Sequence, residues 1–300
     1  MTATVISGAT SYKPEALRIF LPSAREYMAF ARIVLIRDSA DSDFLAAVRR
    51  YNPAAEVYVL GDSVLRRLVW RVAQNHREWC VNVGRLQTRL HLSGGLAVHA
   101  LFLHIHQVRH IYAQLLLRSI SSDFVLMADS RDVVFQANPF EGMGERLITG
   151  EEPMRIGDCV VNSGLVRTLY GEAMLERLAG CRILCAGVTY GPTAMMRSYV
   201  DAMVGEIAKS APRIYLDYGL DQGMHMKLLR LSPPAPILAS ANGTRHLATM
   251  HYSKLEEFRF DPAAGMVTLA GEPVSIVHQY DRHPVSKEWF ERCYPAGLEG

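Results

Sequence analysis

Along the first 140 positions, short apolar runs alternate with longer stretches whose apolar residues recur every three or four places. TVIS (4–7) predicts a strand running into a loop at Gly8. RIVLI (32–36) predicts another, ending at polar Arg37 and Asp38 as a central parallel strand does. Asp41 and Ser42 offer caps for a helix over 42–51 that stops before Pro53, and EVYVL (56–60) completes a βαβ unit. Helical spacing continues over 63–78 and 97–118, and FVLMA (124–128) is a further buried strand that terminates in Asp129. This alternation through residue 135 predicts an α/β fold: a mainly parallel central sheet flanked by helices, with a Rossmann-like nucleotide-binding first half. Ligands are expected at the carboxyl ends of its strands.

The second half changes character. Helices are predicted over 171–179, 192–208 and 219–230, with a short strand at 182–185. The final stretch reads as strands at 247–251, 258–260, 266–269 and 274–278, with loops at 232–236 and 241–244. No long polar linker divides the chain, so a single domain over 1–300 is expected, with halves 1–140 and 141–300.

Composition narrows the function classes. With 300 residues, 49% apolar and 21% charged, the chain has ample material for a buried core, which excludes disorder. Thirty-two basic against thirty acidic side chains give a net charge of +2, so no nucleic-acid partner is expected. Only five of the basic residues are lysines. The rest are arginines, the side chain suited to bidentate contacts with phosphate or carboxylate. Five cysteines without a CxxC pair suggest neither a disulfide framework nor a zinc knuckle, and no apolar run approaches a membrane span. The expected setting is a cytoplasm. Arg66, Arg67, Arg71 and Arg77 among Leu65, Leu68 and Trp70 give segment 63–78 two readings. It is a core-facing helix with a solvated charged side, or a peripheral contact on the inner face of a membrane.

The strongest chemical signal is DFVLMADSRDVVFQANPF, residues 123–140. A buried strand delivers Asp129 to its mouth and Asp132 follows directly, two hard oxygen ligands of the kind that hold Mg²⁺ or Mn²⁺ together with a diphosphate. His106 and His110 share a helical face, but His99, His104, His106 and His110 cannot all face one ion and are read as helix surface or packing.

An apolar strand, an acidic motif and a Pro-aromatic pair about ten residues on resemble the DxD region of nucleotide-sugar-dependent glycosyltransferases of the GT-A fold, the glycogenin and lipopolysaccharide-galactosyltransferase type. DSRDVVFQ is a variant of that motif: Asp129 matches the first acid, while Arg131 stands at the third position with Asp132 after it. Three further segments are similar in the same order: Arg109 on the preceding helix, CAGVTYG (185–191) with Cys185 in place of asparagine and Gly187 at the glycine, and Asp221-Gln222 at a helix start. A late strand, IVHQYDRHP (276–284), carries His278 and Arg282.

The resemblance implies transfer of a sugar from a nucleoside-diphosphate sugar, a UDP-sugar first among them, to a hydroxyl of a glycan, lipid-linked or small-molecule acceptor. It implies a divalent cation, Mn²⁺ or Mg²⁺, on Asp129, Asp132 and His278. Donor contacts would come from Ser7, Gly8, Arg109, Arg131, Gly187 and Arg282, with Asp221 and Gln222 beside the reacting carbon as in retaining enzymes. An inverting reaction would need one base, such as Asp217 or Asp221. In this picture residues 1–140 bind the nucleotide sugar, and residues 141–300 complete the metal set and hold the acceptor. Two alternatives stay open: a glycosyltransferase-like binding protein that has lost the metal, for which Arg131 speaks, and a sugar nucleotidyltransferase, for which SGATSYK (7–13) has only one glycine.

Overall fold

A computed structural model describes residues 1–10, 12–37, 41–59, 100, 102–211, 213–215, 217–241, 244–262, 265–269 and 271–295. The predicted helix over 63–78 and residue His99 lie outside the described residues.

Strands β1 (Ala3–Gly8), β2 (Ala31–Arg37), β3 (Glu56–Val59) and β4 (Phe124–Asp129) come from the first half of the chain. From the second half come β6 (Leu147–Arg155), β7 (Arg182–Pro192) and β8 (Ile237–Ala241), which complete one seven-stranded sheet in the order β3-β2-β1-β4-β7-β6-β8. β1 to β4 run parallel, β7 runs antiparallel to both β4 and β6, and β8 is parallel to β6. The sheet is therefore α/β and mostly parallel, as the alternation predicts, with β7 reversed in its middle. Chain order reverses at β1, which has β2 on one side and β4 on the other. Such a switch point opens a crevice beyond the strand ends. In the β1–β4 register Gly8 lies opposite Asp129, so the first predicted acid stands at the mouth of that crevice.

Alternation within the strands decides which core each residue enters. Ile6, Ile36, Val125 and Met127 face one layer, packed on the Ile105–Leu117, Thr193–Ser210 and Leu220–Leu231 helices. Val5, Leu35, Leu126 and Ala128 face the other, against the Phe20–Tyr27 and Ser42–Tyr51 helices. Each fully buried aliphatic contributes about 1.5–3 kcal/mol, which is why both faces of the parallel strands must be apolar.

Several boundaries differ from the predicted ones. The helix over 97–118 is interrupted: Leu103 sits in a bend, His104 is extended with its ring accepting from the His106 amide, and a helix restarts at Ile105. The 182–185 strand runs on to Pro192, because Val188 and Tyr190 are buried against β4 and β6. Helix Val160–Tyr170, the long β6 and β8 are absent from the sequence-based prediction.

A smaller sheet sits at the carboxyl end of the large one. In it β10 (Ile276–His278) is antiparallel to β5 (Val133–Phe135) and parallel to β9 (Leu247–Thr249). His278 pairs with Val133, and the Gln279 amide donates to the Asp132 carbonyl at 2.7 Å. Thus a residue late in the chain is registered against the turn after β4.

Candidate functional site

Asp129 ends β4, Asp132 closes the bend before β5, and His278 ends β10. One ligand atom from each lies within 4.8 Å of the others. His278 is buried, with Nε2 3.7 Å from Asp132 Oδ1 and no hydrogen-bond partner of its own. Its other nitrogen, Nδ1, stands 3.7 Å from the buried Cys185 thiol, which orients the ring so that Nε2 faces the two acids. A buried imidazole nitrogen without a partner, aimed at two carboxylates, is a donor set suited to Mn²⁺ or Mg²⁺. The predicted triad thus converges, and its residues fit a divalent cation.

Gly187 is required beside it. A Cβ at that position would overlap the His278 ring and lie 3.0 Å from Asp129 Oδ2. Backbone, rather than a side chain, closes this wall.

Cations surround the acids. Arg109 reaches from the Ile105–Leu117 helix and bridges two carboxylates, pairing closely with Asp129 Oδ1 and donating to Asp221 Oδ2 at 2.9 Å. Asp132, 3% exposed, has Arg131 at 3.5 Å and Arg282 at 3.6 Å, and both arginines also reach Asp281. Burial raises the Asp132 carboxyl above its ordinary range, against the pull of His278 and Arg131. Four carboxylates face three guanidiniums, so the cluster retains an acid in excess to meet a cation.

Asp221 begins the Leu220–Leu231 helix, after Gly219 in a left-handed conformation. Burial alone would raise its carboxyl, but the Arg109 charge and then the His110 contact outweigh that and hold it well below the usual carboxylate range. His106 and His110 stand 3.9 and 3.7 Å from its two oxygens. His106 lines the site's wall, whereas His110 is buried between Asp221 and Tyr199, in keeping with its reading as packing. Burial lowers both imidazoles, so they are neutral at physiological pH.

Gln222 lines the site and spends its amide on backbone. It accepts from the Ala186 amide at 2.8 Å and donates to the Leu184 carbonyl at 2.7 Å, clamping the stretch of β7 that carries Gly187. Ser7 is buried and donates to the Ala128 carbonyl at 2.7 Å, pinning β1 to β4 rather than facing the crevice.

Two cavities meet at Arg109 and Asp129. One, ≈ 290 Å³, is lined by Gly8, Thr10, Tyr12, Arg131, Asp132 and Arg282 among others. Burial and the nearby Asp129 and Asp132 push Tyr12 up to about 12, so it remains a hydroxyl donor. The other, ≈ 270 Å³, continues past Gly187 and Asp221 to Glu152, Asn162, His251 and Tyr252. Tyr252 and Gln279 are the two non-glycine residues with left-handed backbone among those described (φ 61° and 58°), and both line this second cavity. Such a conformation costs on the order of 1–3 kcal/mol and concentrates at ligand sites.

Glu152 and Asn162 went unnoticed in the sequence because their elements did. Glu152 lies on β6, where strand alternation turns its side chain inward while Glu151 pairs outward with Arg182 and Arg230. Among the described residues no helix is long and apolar enough to cross a membrane. Comparison of the chain with protein-family models finds no match, and comparison with curated protein sequences finds none.

Proposed function

We propose that the chain is a GT-A-type glycosyltransferase, moving a sugar from a nucleoside-diphosphate sugar, a UDP-sugar in the first instance, to an acceptor hydroxyl. The observation that carries this reading is the convergence of Asp129, Asp132 and His278 with Arg109, Arg131 and Arg282 at the switch point of a mostly parallel sheet. Asp129, Asp132 and His278 would hold Mn²⁺ or Mg²⁺, which when bound supplies positive charge to the diphosphate as it leaves.

The chain's own residues do the remainder. Arg131 and Arg282, at the cavity wall, neutralise phosphate oxygens, and their planar guanidiniums suit bidentate contact. Arg109 is held in place by the buried Asp221, so a cation stands preorganised where charge develops. The Tyr12 hydroxyl is a further donor on the same wall. The two adjoining cavities together fall within the ~300–1,000 Å³ typical of small-molecule sites. Gln222 acts through the backbone it clamps and is a positioning residue.

A second reading, a nucleotide-binding protein without metal, draws on Arg109, whose guanidinium already engages Asp129. UDP release from a panel of UDP-sugars, with Mn²⁺ and after chelation, separates the two. Turnover that chelation abolishes supports the transferase. UDP binding that ignores both chelation and Asp129→Ala, with no turnover of any donor, supports the binding protein.

A further inference from the structure

We infer that Glu152 is the base that takes the proton of the attacking acceptor hydroxyl, and that the cavity it lines receives a neutral, hydroxyl-rich acceptor of carbohydrate type. This rests on the transferase reading and assigns a role that reading leaves open.

Three observations carry it. First, of the two acids considered as bases from sequence, Asp221 is 2% exposed and committed to Arg109, and its carboxylate is too weakly basic to accept a proton from a hydroxyl. Asp217 is absent from the lining of either cavity. Glu152 is 3% exposed, lines the cavity that also contains Asp129, Gly187 and Asp221, and has no cation within 4.0 Å among the described residues. Second, Asn162 is 7% exposed and its amide nitrogen donates to the Cys159 thiol at 3.2 Å, which leaves its Oδ1 enclosed without a partner on the same cavity. A carboxylate and an amide oxygen together accept from two hydroxyls of one ligand. Third, His251 and Tyr252 stack at 3.8 Å on the wall, and Tyr218, 70% exposed, stands at the cavity as a second aromatic face. Aromatic faces beside buried hydrogen-bond acceptors suit the apolar and polar sides of a sugar ring.

The groups that face Glu152 support this role. They are the Cys185 thiol from β7, Tyr252 from the turn after β9, and the more distant Arg282. Burial outweighs Cys185 and Arg282 and pushes the carboxyl up to about 7, which matches a base working near neutrality. In the step, the acceptor oxygen forms a bond to the anomeric carbon, and the bond from that carbon to the diphosphate oxygen breaks with its electron pair leaving on the diphosphate. The hydroxyl proton goes to Glu152. Attack from a face opposite the leaving group inverts the anomeric centre, the single-base alternative to the retaining outcome that the resemblance implies.

The test uses the full chain, Mn²⁺ and two probes, UDP-glucose and UDP-galactose, with water and then sodium azide as acceptor. Glu152→Gln should melt as a folded protein and bind UDP within about twofold of the parent. It should lose about 10²–10⁴-fold in donor hydrolysis. The parent rate should rise with pH through about 7, and that limb should vanish in Glu152→Gln, which a merely structural role would not cause. Azide needs no deprotonation, so it should restore turnover to the variant and yield the glycosyl azide of opposite anomeric configuration. Glu152→Gln that hydrolyses at the parent rate with the parent pH profile overturns the assignment while leaving the transferase reading intact. A parent protein that turns over neither donor, with UDP still bound, overturns both.

Discussion

Replacing Glu152 by glutamine should stabilise the protein, and by an amount that grows with pH. The carboxyl is displaced by burial from its ordinary 4.5 to about 7, so near pH 6 the folded state keeps a proton that the unfolded chain has released. Stability from the neutral carboxyl is complete below about 4.5 and is lost as pH rises through about 7, where the folded protein must either ionise a buried acid or unfold. A displacement of this size corresponds to ~3 kcal/mol at full expression. Glutamine has nearly the same shape and no charge to desolvate. The difference in unfolding free energy, variant minus parent, should therefore be flat below pH 4.5 and climb by ~3 kcal/mol between pH 4.5 and 8. Urea unfolding of both proteins across that range measures it, and other titrating groups cancel in the difference. A difference that stays flat, or falls with pH, would refute the claim that Glu152 is buried without a compensating cation.

Other predictions follow from the same geometry. Gly187→Ala should weaken Mn²⁺ binding at least tenfold and cost ~1–3 kcal/mol in urea unfolding, because the new methyl displaces the buried His278 ring; equal affinity by calorimetry would show that His278 is not a ligand. Asp221→Asn breaks a buried ion pair and should cost about 3–5 kcal/mol at pH 7 in chemical unfolding. The contribution of Asp221 is present above about pH 3.8 and is lost on further acidification, so the difference from the parent should shrink at the lowest pH that can be studied. Gln222→Ala removes both bonds to the Leu184–Ala186 backbone and should cost ~1–3 kcal/mol, read as a lower urea midpoint at unchanged m-value.

Much of this arrangement was legible in the chain before its folding was known, for identifiable reasons. Strands β1, β2 and β4 are buried on both faces, so their apolar runs are unbroken and their ends are marked by Gly8, Arg37 and Asp129. The acids after β4 followed from that ending. The Ser42–Tyr51 helix was bounded by Asp41, which caps the Phe44 amide at 2.8 Å. What escaped was structure whose signal is diluted. β6 carries Gly150, Glu151, Glu152 and Pro153 in a row, which reads as a turn, yet pairing on both sides with β7 and β8 holds it extended. The Val160–Tyr170 helix begins with Val160 and Val161, 88% and 65% exposed, which inverts the usual apolar-in pattern at its first turn. Its cap is a cysteine thiol accepting from the Asn162 amide, outside the usual Ser, Thr, Asp and Asn set.

Residue roles divide the same way. Asp129, Asp132 and His278 could be nominated because each ends or follows a readable strand, and tertiary structure brings them together. Ser7 is buried and bonds to the Ala128 carbonyl, while Gln222 bonds to backbone and also lines the second cavity, a distinction set by side-chain direction that spacing cannot give. Glu152 and Asn162 lie on two of the elements the pattern concealed, so no argument from the sequence could place them beside Asp129.

The central claim is that Asp129, Asp132 and His278 bind a divalent cation and a nucleoside diphosphate as one unit. Calorimetric titration of UDP into the full chain, with Mn²⁺ and with chelator, and repeated on Asp132→Asn, tests it most directly. The account predicts UDP affinity that rises at least tenfold with Mn²⁺ in the parent and does not respond to Mn²⁺ in the variant. Affinity that is the same with and without Mn²⁺ in the parent would contradict it.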